Sequence, residues 1–310
     1  MTDTRTPGGL PRVILAHSGG LDTAAAIPWL AERCGADVIA VTIDLGQTKE
    51  WLEEIRDRAL AAGAVRAHVV DVRDEFAREY LLRGLKAGLL GPEPAAMAGR
   101  LACPLIAQTL VVIAGIEQAR IVAHGDPDDP APLAAMVHAI DPALTLITVP
   151  ASMVLGRDEA PALAQRTGAT VPSEPAYVEI AVARGVPTGV NGVAMPWLDL
   201  VGSLDVIARA HGVGPSPLVL LTVAHDALQQ ATVPAEAVRF GTPVAGEYRR
   251  MLRDGSWFSP MRRALDVYVD KLEEPVEGVV RLQLFNGACA VVGCRPSAAA
   301  APALIPLTKA

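Results

Sequence analysis

Along the first half of the chain, apolar positions switch between two rhythms. Short unbroken runs, RVILAHS (12–18) and DVIAVTIDLG (37–46), read as buried strands, and so do RAHVVDV (66–72), RIVAHG (120–125) and LTLITVP (144–150). Between them lie stretches with apolar residues every three or four positions. LDTAAAIPWLAERCG (21–35, closed by Gly35) and KEWLEEIRDRALAAG (49–63) are two of these. RDEFAREYLLRGLKAG (about 73–88) is read as another helix, LLGPEPAAMAGRLAC (89–103) as a loop, and PLIAQTLVVIAGIEQA (104–119) and LAAMVHAI (133–140) as helices. Strand and helix alternating in this way predict an open parallel sheet with right-handed crossovers.

After about residue 170 the pattern changes: Pro and Gly interrupt every few residues and the β-branched runs shorten. A second, smaller α+β domain is expected over 171–295, after an α/β domain over 1–170. The low-complexity stretch 296–310 reads as a flexible tail. The clearest later elements are helices LVGSLDVIARAHG (200–212), AGEYRRMLRDG (245–255) and SPMRRALDVYVDKLEE (259–274). Asn286-Gly287, set between two alternating runs in GVVRLQLFNGACAVVG (278–293), is a strong hairpin signal.

Composition narrows the partners. With 310 residues, 51% of them hydrophobic, the chain can fill two cores, and a net charge of −7 offers no overall basic field for nucleic acid or anionic lipid. A small-molecule substrate is the default partner. The polar N-terminus does not read as a signal peptide, and no apolar run is expected to reach the ~18 residues of a membrane span, so a cytoplasmic location is expected. Four cysteines without a CxxC pair read as free thiols.

The chemistry concentrates in Ser18-Gly19-Gly20-Leu21-Asp22-Thr23, between a strand and a helix. Glycines let successive backbone N–H groups converge, and the helix N-terminus adds partial positive charge, so the turn suits a phosphate. It has neither the Lys-Ser/Thr of a Walker A loop nor the spacing of a dinucleotide fingerprint. Without that lysine it fits a departing pyrophosphate better than γ-phosphoryl transfer. Asp22 would repel phosphate unless Mg²⁺ bridges them. The plainer alternative makes Asp22 a helix cap and Ser18 a turn residue.

The segment LAHSGGLDTAAAIPWLAERCGADVIAVTIDLGQ, followed in order by CPLIAQTL, IVAHG, LVGSLDVIARAHGVG and EYRRMLRDGSWFSPMRRALDVYVDKLEEPVEGVVRLQLFNGACAVVG, resembles the argininosuccinate synthase family of N-type ATP pyrophosphatases. The resemblance implies a PP-loop nucleotide-binding domain, ATP with Mg²⁺, adenylation of a carbonyl-type oxygen with release of pyrophosphate, and a homo-oligomer. It implies that Ala16, Ser18, Gly19, Gly20, Asp22 and Thr23 hold phosphates and adenosine, with Asp22 and Ser18 catalytic and Asp22 on Mg²⁺. Ile43, through its backbone, and Gly125 would meet the base or ribose. His17 stands where the family usually has Tyr and is a further nucleotide contact or a half-buried filler.

The amino-acid side of the family pattern is altered. Where the resemblance implies a Tyr, a Thr or Ser, and an Arg gripping citrulline and aspartate, this chain has Ala95, Gly99 and Cys103, with Arg100 offset nearby. A longer loop carrying Thr, Asn and Asp is replaced by DPDDPAPL (126–133), whose Asp126, Asp128 and Asp129 would disfavour an acidic amino acid or simply make solvated turns. The Glu- and Tyr-bearing segment expected after HGVG (211–214) is missing. The resulting expectation is an ATP-dependent, AMP-forming C–N ligase-like enzyme acting on another substrate in specialised metabolism. Two alternatives stand beside it: sulfur transfer through Cys103, or ATP binding without catalysis.

Overall fold

A computed structural model describes residues 10–19, 21–125, 131–150, 174–213 and 216–297. The chain divides into two compact units, one formed by residues 1–76, 102–165 and 251–258, the other by 77–101, 166–250 and 259–310. The fold is α/β, with a parallel sheet in the first unit and an antiparallel sheet in the second.

In chain order the first half comprises β1 (Arg12–Ala16), α1 (Leu21–Cys34), β2 (Asp37–Asp44), α2 (Lys49–Ala61), β3 (Arg66–Asp71), α3 (Arg73–Glu75), a π-helical turn (Phe76–Leu81) and α4 (Leu82–Lys86). It continues with α5 (Pro94–Ile116), β4 (Ile121–His124), α6 (Ala131–Ile140) and β5 (Thr145–Thr148). The sheet runs β3-β2-β1-β4-β5 with every pair parallel. Val13, Ile14 and Leu15 are fully buried, because helices cover both faces of such a sheet. Val13, Leu15, Val38 and Ala40 pack with Ala26, Ile27 and Leu30 of α1 and Ala59 of α2, so odd positions of β1 face the α1–α2 layer. The chain steps outward from β1 to β3, then restarts on the other side of β1 with β4. That reversal opens a crevice at the carboxyl ends of β1 and β4, the usual ligand position in open α/β sheets. At the other edge, buried Glu117 accepts from Arg66 Nη1 at 2.7 Å and lies 2.8 Å from His68 Nε2, and Arg12 donates to its backbone carbonyl at 2.8 Å.

Two expectations are corrected here and a third is refined. The stretch 89–103 is not all loop: α5 begins at Pro94, where a missing N–H costs nothing, and continues through Pro104 because Leu101, Ala102 and Leu105 are buried. The run 73–88 is helical from Arg73 to Lys86 as read, with a π-helical turn at its centre that the sequence reading did not foresee. Its π turn brings Phe76, Ala77, Tyr80 and Leu81 to buried positions, and Trp197 Nε1 donates to the Ala77 carbonyl at 2.8 Å. By length and composition α5, at 23 residues, is also apolar enough to cross a membrane, although half of its most apolar stretch is buried in the protein, as in the core helix of a globular domain.

In the second half, β6 (Ala176–Ala183), β7 (Val186–Val190), β8 (Val193–Ala194), β9 (Gly278–Phe285) and β10 (Ala288–Pro296) form an antiparallel sheet ordered β10-β9-β6-β7-β8. The helices are α7 (Trp197–Ala210), α8 (Leu218–Thr232), α9 (Ala235–Asp254) and α10 (Pro260–Leu272). Asn286 and Gly287 both have positive φ, 50° and 76°, and Phe285 pairs directly with Ala288, which is the two-residue hairpin the sequence predicts. Arg184-Gly185 and Asn191-Gly192 turn the chain in the same way. Val178, Ile180 and Val182 of β6 and Val280, Leu282 and Leu284 of β9 are buried at alternate positions. Buried with them are His225 of α8 and Glu273, whose carboxylate lies 2.7 Å from His225 Nε2 and accepts from Gln229 Nε2 at 2.8 Å.

Candidate functional site

The strand ends define the site from below. β1 stops at Ala16, and the His17 amide is still anchored to the Val41 carbonyl at 2.9 Å, so the loop leaves from a fixed point. Ser18 is exposed, while Gly19 is buried with φ +86°. A Cβ on Gly19 would overlap Cδ1 and Cγ1 of Ile55, so α2 occupies the space a side chain would need. Arg58, one turn further along α2, donates through Nη1 to the Gly19 carbonyl at 2.7 Å. The same guanidinium donates to Glu54 Oε1 at 2.6 Å and sits over the Trp51 ring at 5.7 Å.

Beyond the glycine turn, α1 starts at Leu21 and carries Asp22 and Thr23 in its first turn; Thr23 is buried. Gly125 follows β4 at the crevice, and a Cβ built on it would meet Thr23 Cγ2 at 3.4 Å, which brings the end of β4 against the first turn of α1. At the end of β2, Gln47 closes a turn on itself. Its Oε1 accepts from the Leu45 amide at 2.7 Å and its Nε2 donates to the Ile43 carbonyl at 3.3 Å. Asp44 Oδ1 accepts from the Gly46 amide at 2.8 Å, and its other oxygen lies 3.4 Å from Arg73 Nε.

His17, the residue after β1, is only 3% exposed. Neither ring nitrogen has a hydrogen-bond partner among the described residues. Burial, with the positive charge of Arg58 adding to it, lowers its pKa to about 4, so the ring is neutral at physiological pH.

The fold therefore brings together Ala16, His17, Ser18, Gly19, Thr23, Ile43 and Gly125 along one edge of the sheet. Gly20, the Asp22 side chain, and Asp126, Asp128 and Asp129 lie outside the described residues. Arg58, Ile55, Asp44 and Gln47 join the edge without having been singled out in the sequence. Asp44 and Gln47 carry a local signal, flanking the Gly46 turn in DLGQ. Arg58 lies 39 residues from its partner, and only the packing of α2 reveals it.

The altered amino-acid positions sit on α5. Ala95, Gly99 and Cys103 are spaced by four, so they share one face of the helix. Ala95 and Gly99 are exposed and Cys103 is half-buried; Arg100 is exposed on a neighbouring line. This face presents a methyl group, a hydrogen and a thiol, none of which can clamp a carboxylate as a guanidinium does. Among the described residues, no group of three His, Cys, Asp or Glu could hold a metal ion.

The glycine turn, the start of a 14-residue helix and a guanidinium behind the turn meet at this end of the sheet, an arrangement of the kind that suits an anion. The family model described as the arginosuccinate synthase N-terminal HUP domain matches residues 12–170, and that of the arginosuccinate synthase C-terminal domain matches residues 214–301. Curated relatives agree. An argininosuccinate synthase of Symbiobacterium thermophilum is 32% identical over 350 residues, covering 91% of this chain and 87% of its own length. One from Dehalococcoides mccartyi strain CBDB1 is 33% identical over 350 residues (91% and 86%), and one from Moorella thermoacetica 32% over 353 residues (92% and 86%). Among solved structures, a predicted tRNA methyltransferase subunit from Methanocaldococcus jannaschii aligns over 47% of this chain and 72% of its own at 18% identity and a TM-score of 0.34, a likeness too loose to argue from. Both halves of the chain thus lead to one conclusion: it belongs to the argininosuccinate synthase family of ATP-dependent ligases.

Proposed function

We propose that this chain is an ATP-dependent, AMP- and pyrophosphate-forming C–N ligase-like enzyme that activates a substrate other than the citrulline and aspartate pair, in a specialised biosynthetic pathway of the cytoplasm. The observation that carries the reading is a contrast. The phosphate-facing edge keeps its glycine turn and bracing, while the α5 face of Ala95, Gly99 and Cys103 bears no carboxylate-clamping group.

In this reading Ser18, Gly19, Gly20 and Thr23 hold the phosphates. Ala16, Ile43 and Gly125 line the nucleoside side, while His17, buried at 3% exposure, packs behind them as a filler. Asp22 would hold Mg²⁺, which would supply charge neutralisation for the phosphates, and Ser18 would help orient the reacting oxygen. ATP supplies AMP, a far better leaving group than hydroxide. The chain's own contribution is to position that leaving group and neutralise the pyrophosphate as it departs. Arg100 is the charged group left near the altered face, and Asp126 and Asp128 would favour an amine or cationic substrate over an acidic one. The enzyme works as a homo-oligomer in this reading, as a dimer or a tetramer.

Purified protein with Mg·ATP, citrulline and aspartate is expected to give no argininosuccinate by mass spectrometry, whereas pyrophosphate release is expected to rise when a pooled small-molecule extract of the source cell is added. Detection of argininosuccinate would overturn the altered-substrate reading. ATP binding without pyrophosphate release under any condition would make the chain a nucleotide-binding homologue. Sulfur transfer by Cys103 gains no support from its position inside α5, directly before Pro104.

A further inference from the structure

β2 runs past its neighbour. β1 pairs with it as far as Ala16 opposite Val41, and the His17 amide adds a last rung to the Val41 carbonyl at 2.9 Å, but β2 continues to Asp44. On the other side β3 follows it to the end, with Ile43 opposite Val70 and Asp44 opposite Asp71. Successive residues of a strand turn their backbone groups to alternate edges. The bonds obey this. Asp37 and Val41 bond toward β1, to Pro11 and His17, while Val38 and Asp44 bond toward β3, to Val65 and Val72. Ile43 therefore presents its N–H and C=O on the β1 side, where β1 has stopped, and among the described residues no backbone group pairs with either.

Gln47 holds that strand end instead. The Leu45 amide donates to its Oε1 at 2.7 Å, which fixes the carboxamide and aims Nε2 at the Ile43 carbonyl, 3.3 Å away. The turn between them is braced as well, since Asp44 Oδ1 accepts from the Gly46 amide at 2.8 Å and Gly46 has a φ of +120°. A side chain thus replaces the missing strand on one of the two Ile43 groups. A carbonyl oxygen has two lone pairs, so Gln47 leaves one of them free.

We propose that Gln47 is a positioning residue for the base of the nucleotide: by fixing the Ile43 carbonyl it keeps an N–H donor and a C=O acceptor side by side on the open edge of β2. That pair matches the ring acceptor and amino donor of a 6-aminopurine. It mismatches a 6-oxopurine, which shows a ring N–H and a carbonyl at the same edge. The inference rests on the reading that this end of the sheet binds ATP. It adds that selectivity for the amino base is set by backbone groups, and that the side chain holding them lies four residues further on and acts without touching the base.

The test compares Gln47→Met, Gln47→Glu and Thr48→Ala with the parent, using calorimetric titration with Mg·ATP, with Mg·ITP, whose base is a 6-oxopurine, and with inorganic pyrophosphate. The parent is expected to bind Mg·ATP at least about tenfold more tightly than Mg·ITP. Gln47→Met is expected to weaken Mg·ATP about fivefold, the scale of one neutral hydrogen bond, and to leave Mg·ITP and pyrophosphate within about twofold of the parent. Gln47→Glu keeps the bond from the Leu45 amide but turns a carboxylate oxygen toward the Ile43 carbonyl, and its ATP-to-ITP ratio is expected to fall at least as far. Thr48→Ala removes the neighbouring cap of α2, where Thr48 Oγ1 accepts from the Trp51 amide at 3.4 Å, and is expected to keep the parent ratio. A parent-like ratio in Gln47→Met or Gln47→Glu overturns the inference. So does an equal loss toward all three ligands in Gln47→Met, or a matching fall of the ratio in Thr48→Ala, since either would make Gln47 a support of the fold alone. A parent that binds Mg·ATP and Mg·ITP equally overturns this inference and leaves the functional reading standing. If the parent binds no Mg·ATP, that reading falls and this inference falls with it.

Discussion

Asp22→Ala should abolish pyrophosphate release from Mg·ATP while leaving the unfolding midpoint within about a degree of the parent. Asp22 is in the first turn of α1, beside the proposed phosphate loop. A carboxylate there opposes a tetra-anionic nucleotide unless a divalent cation lies between them, and removing one metal ligand at a reacting phosphate costs about 10²-fold or more. Asp22→Asn separates the two roles open to the residue. Asparagine caps a helix about as well as aspartate does but carries no charge, so a capping residue would be rescued and a metal ligand would not. Release that survives in Asp22→Ala would remove the metal role.

Glu273→Ala should destabilise the second unit by about 3 kcal/mol or more, read from the denaturant midpoint. His225 and Glu273 are 1% and 0% exposed, and truncating the carboxylate strands a buried imidazole and the Gln229 amide together. Gly185 shows how closely the carboxylate is fitted, since with φ +73° its Cβ would overlap Glu273 Oε2. The pair also predicts a pH dependence. Burial pushes the His225 pKa down, but the adjacent Glu273 carboxylate and Asp226 more than reverse this and raise it to about 9 from 6.5. A raised folded-state pKa gives stability that is fully present below about 6.5 and is lost as pH rises through about 9, a fall of about 3 kcal/mol over that window. Glu273→Gln keeps a hydrogen-bonding partner for neutral His225 and is expected to flatten the slope. An unchanged slope would mean that another group carries it.

The centre of the parallel sheet was legible because β1 and β2 are buried on both faces. Val13-Ile14-Leu15 and Val38 through Val41 need no partner to be recognised as strands. The Asn286-Gly287 turn was legible because two left-handed residues leave few sequence choices. Less was visible where tertiary contacts override local signals. The first ten residues of α5 read as a loop because Pro94 and Gly99 punctuate them and Pro104 follows, yet burial of Leu101 and Ala102 holds them helical. β7 and β8 are short, and β6, although eight residues long, is separated from them only by Gly-bearing turns, Arg184-Gly185 and Asn191-Gly192, that looked like interruptions. In the site, the loop announced itself as Ser-Gly-Gly, but the arginine that braces it comes from a helix whose sequence gives no hint of the contact.

In the proposed function, the regular spacing of Ala95, Gly99 and Cys103 limits how specificity on that face can change. A loop can reach new ligand atoms by altering its length, whereas a helix offers addresses only at multiples of one turn, about 6 Å apart for every fourth residue. A new side chain at any of the three would meet functional groups at those intervals along a ligand, with the backbone left in place. Retuning such an enzyme for another substrate is therefore a matter of repopulating a ruled line, one position at a time.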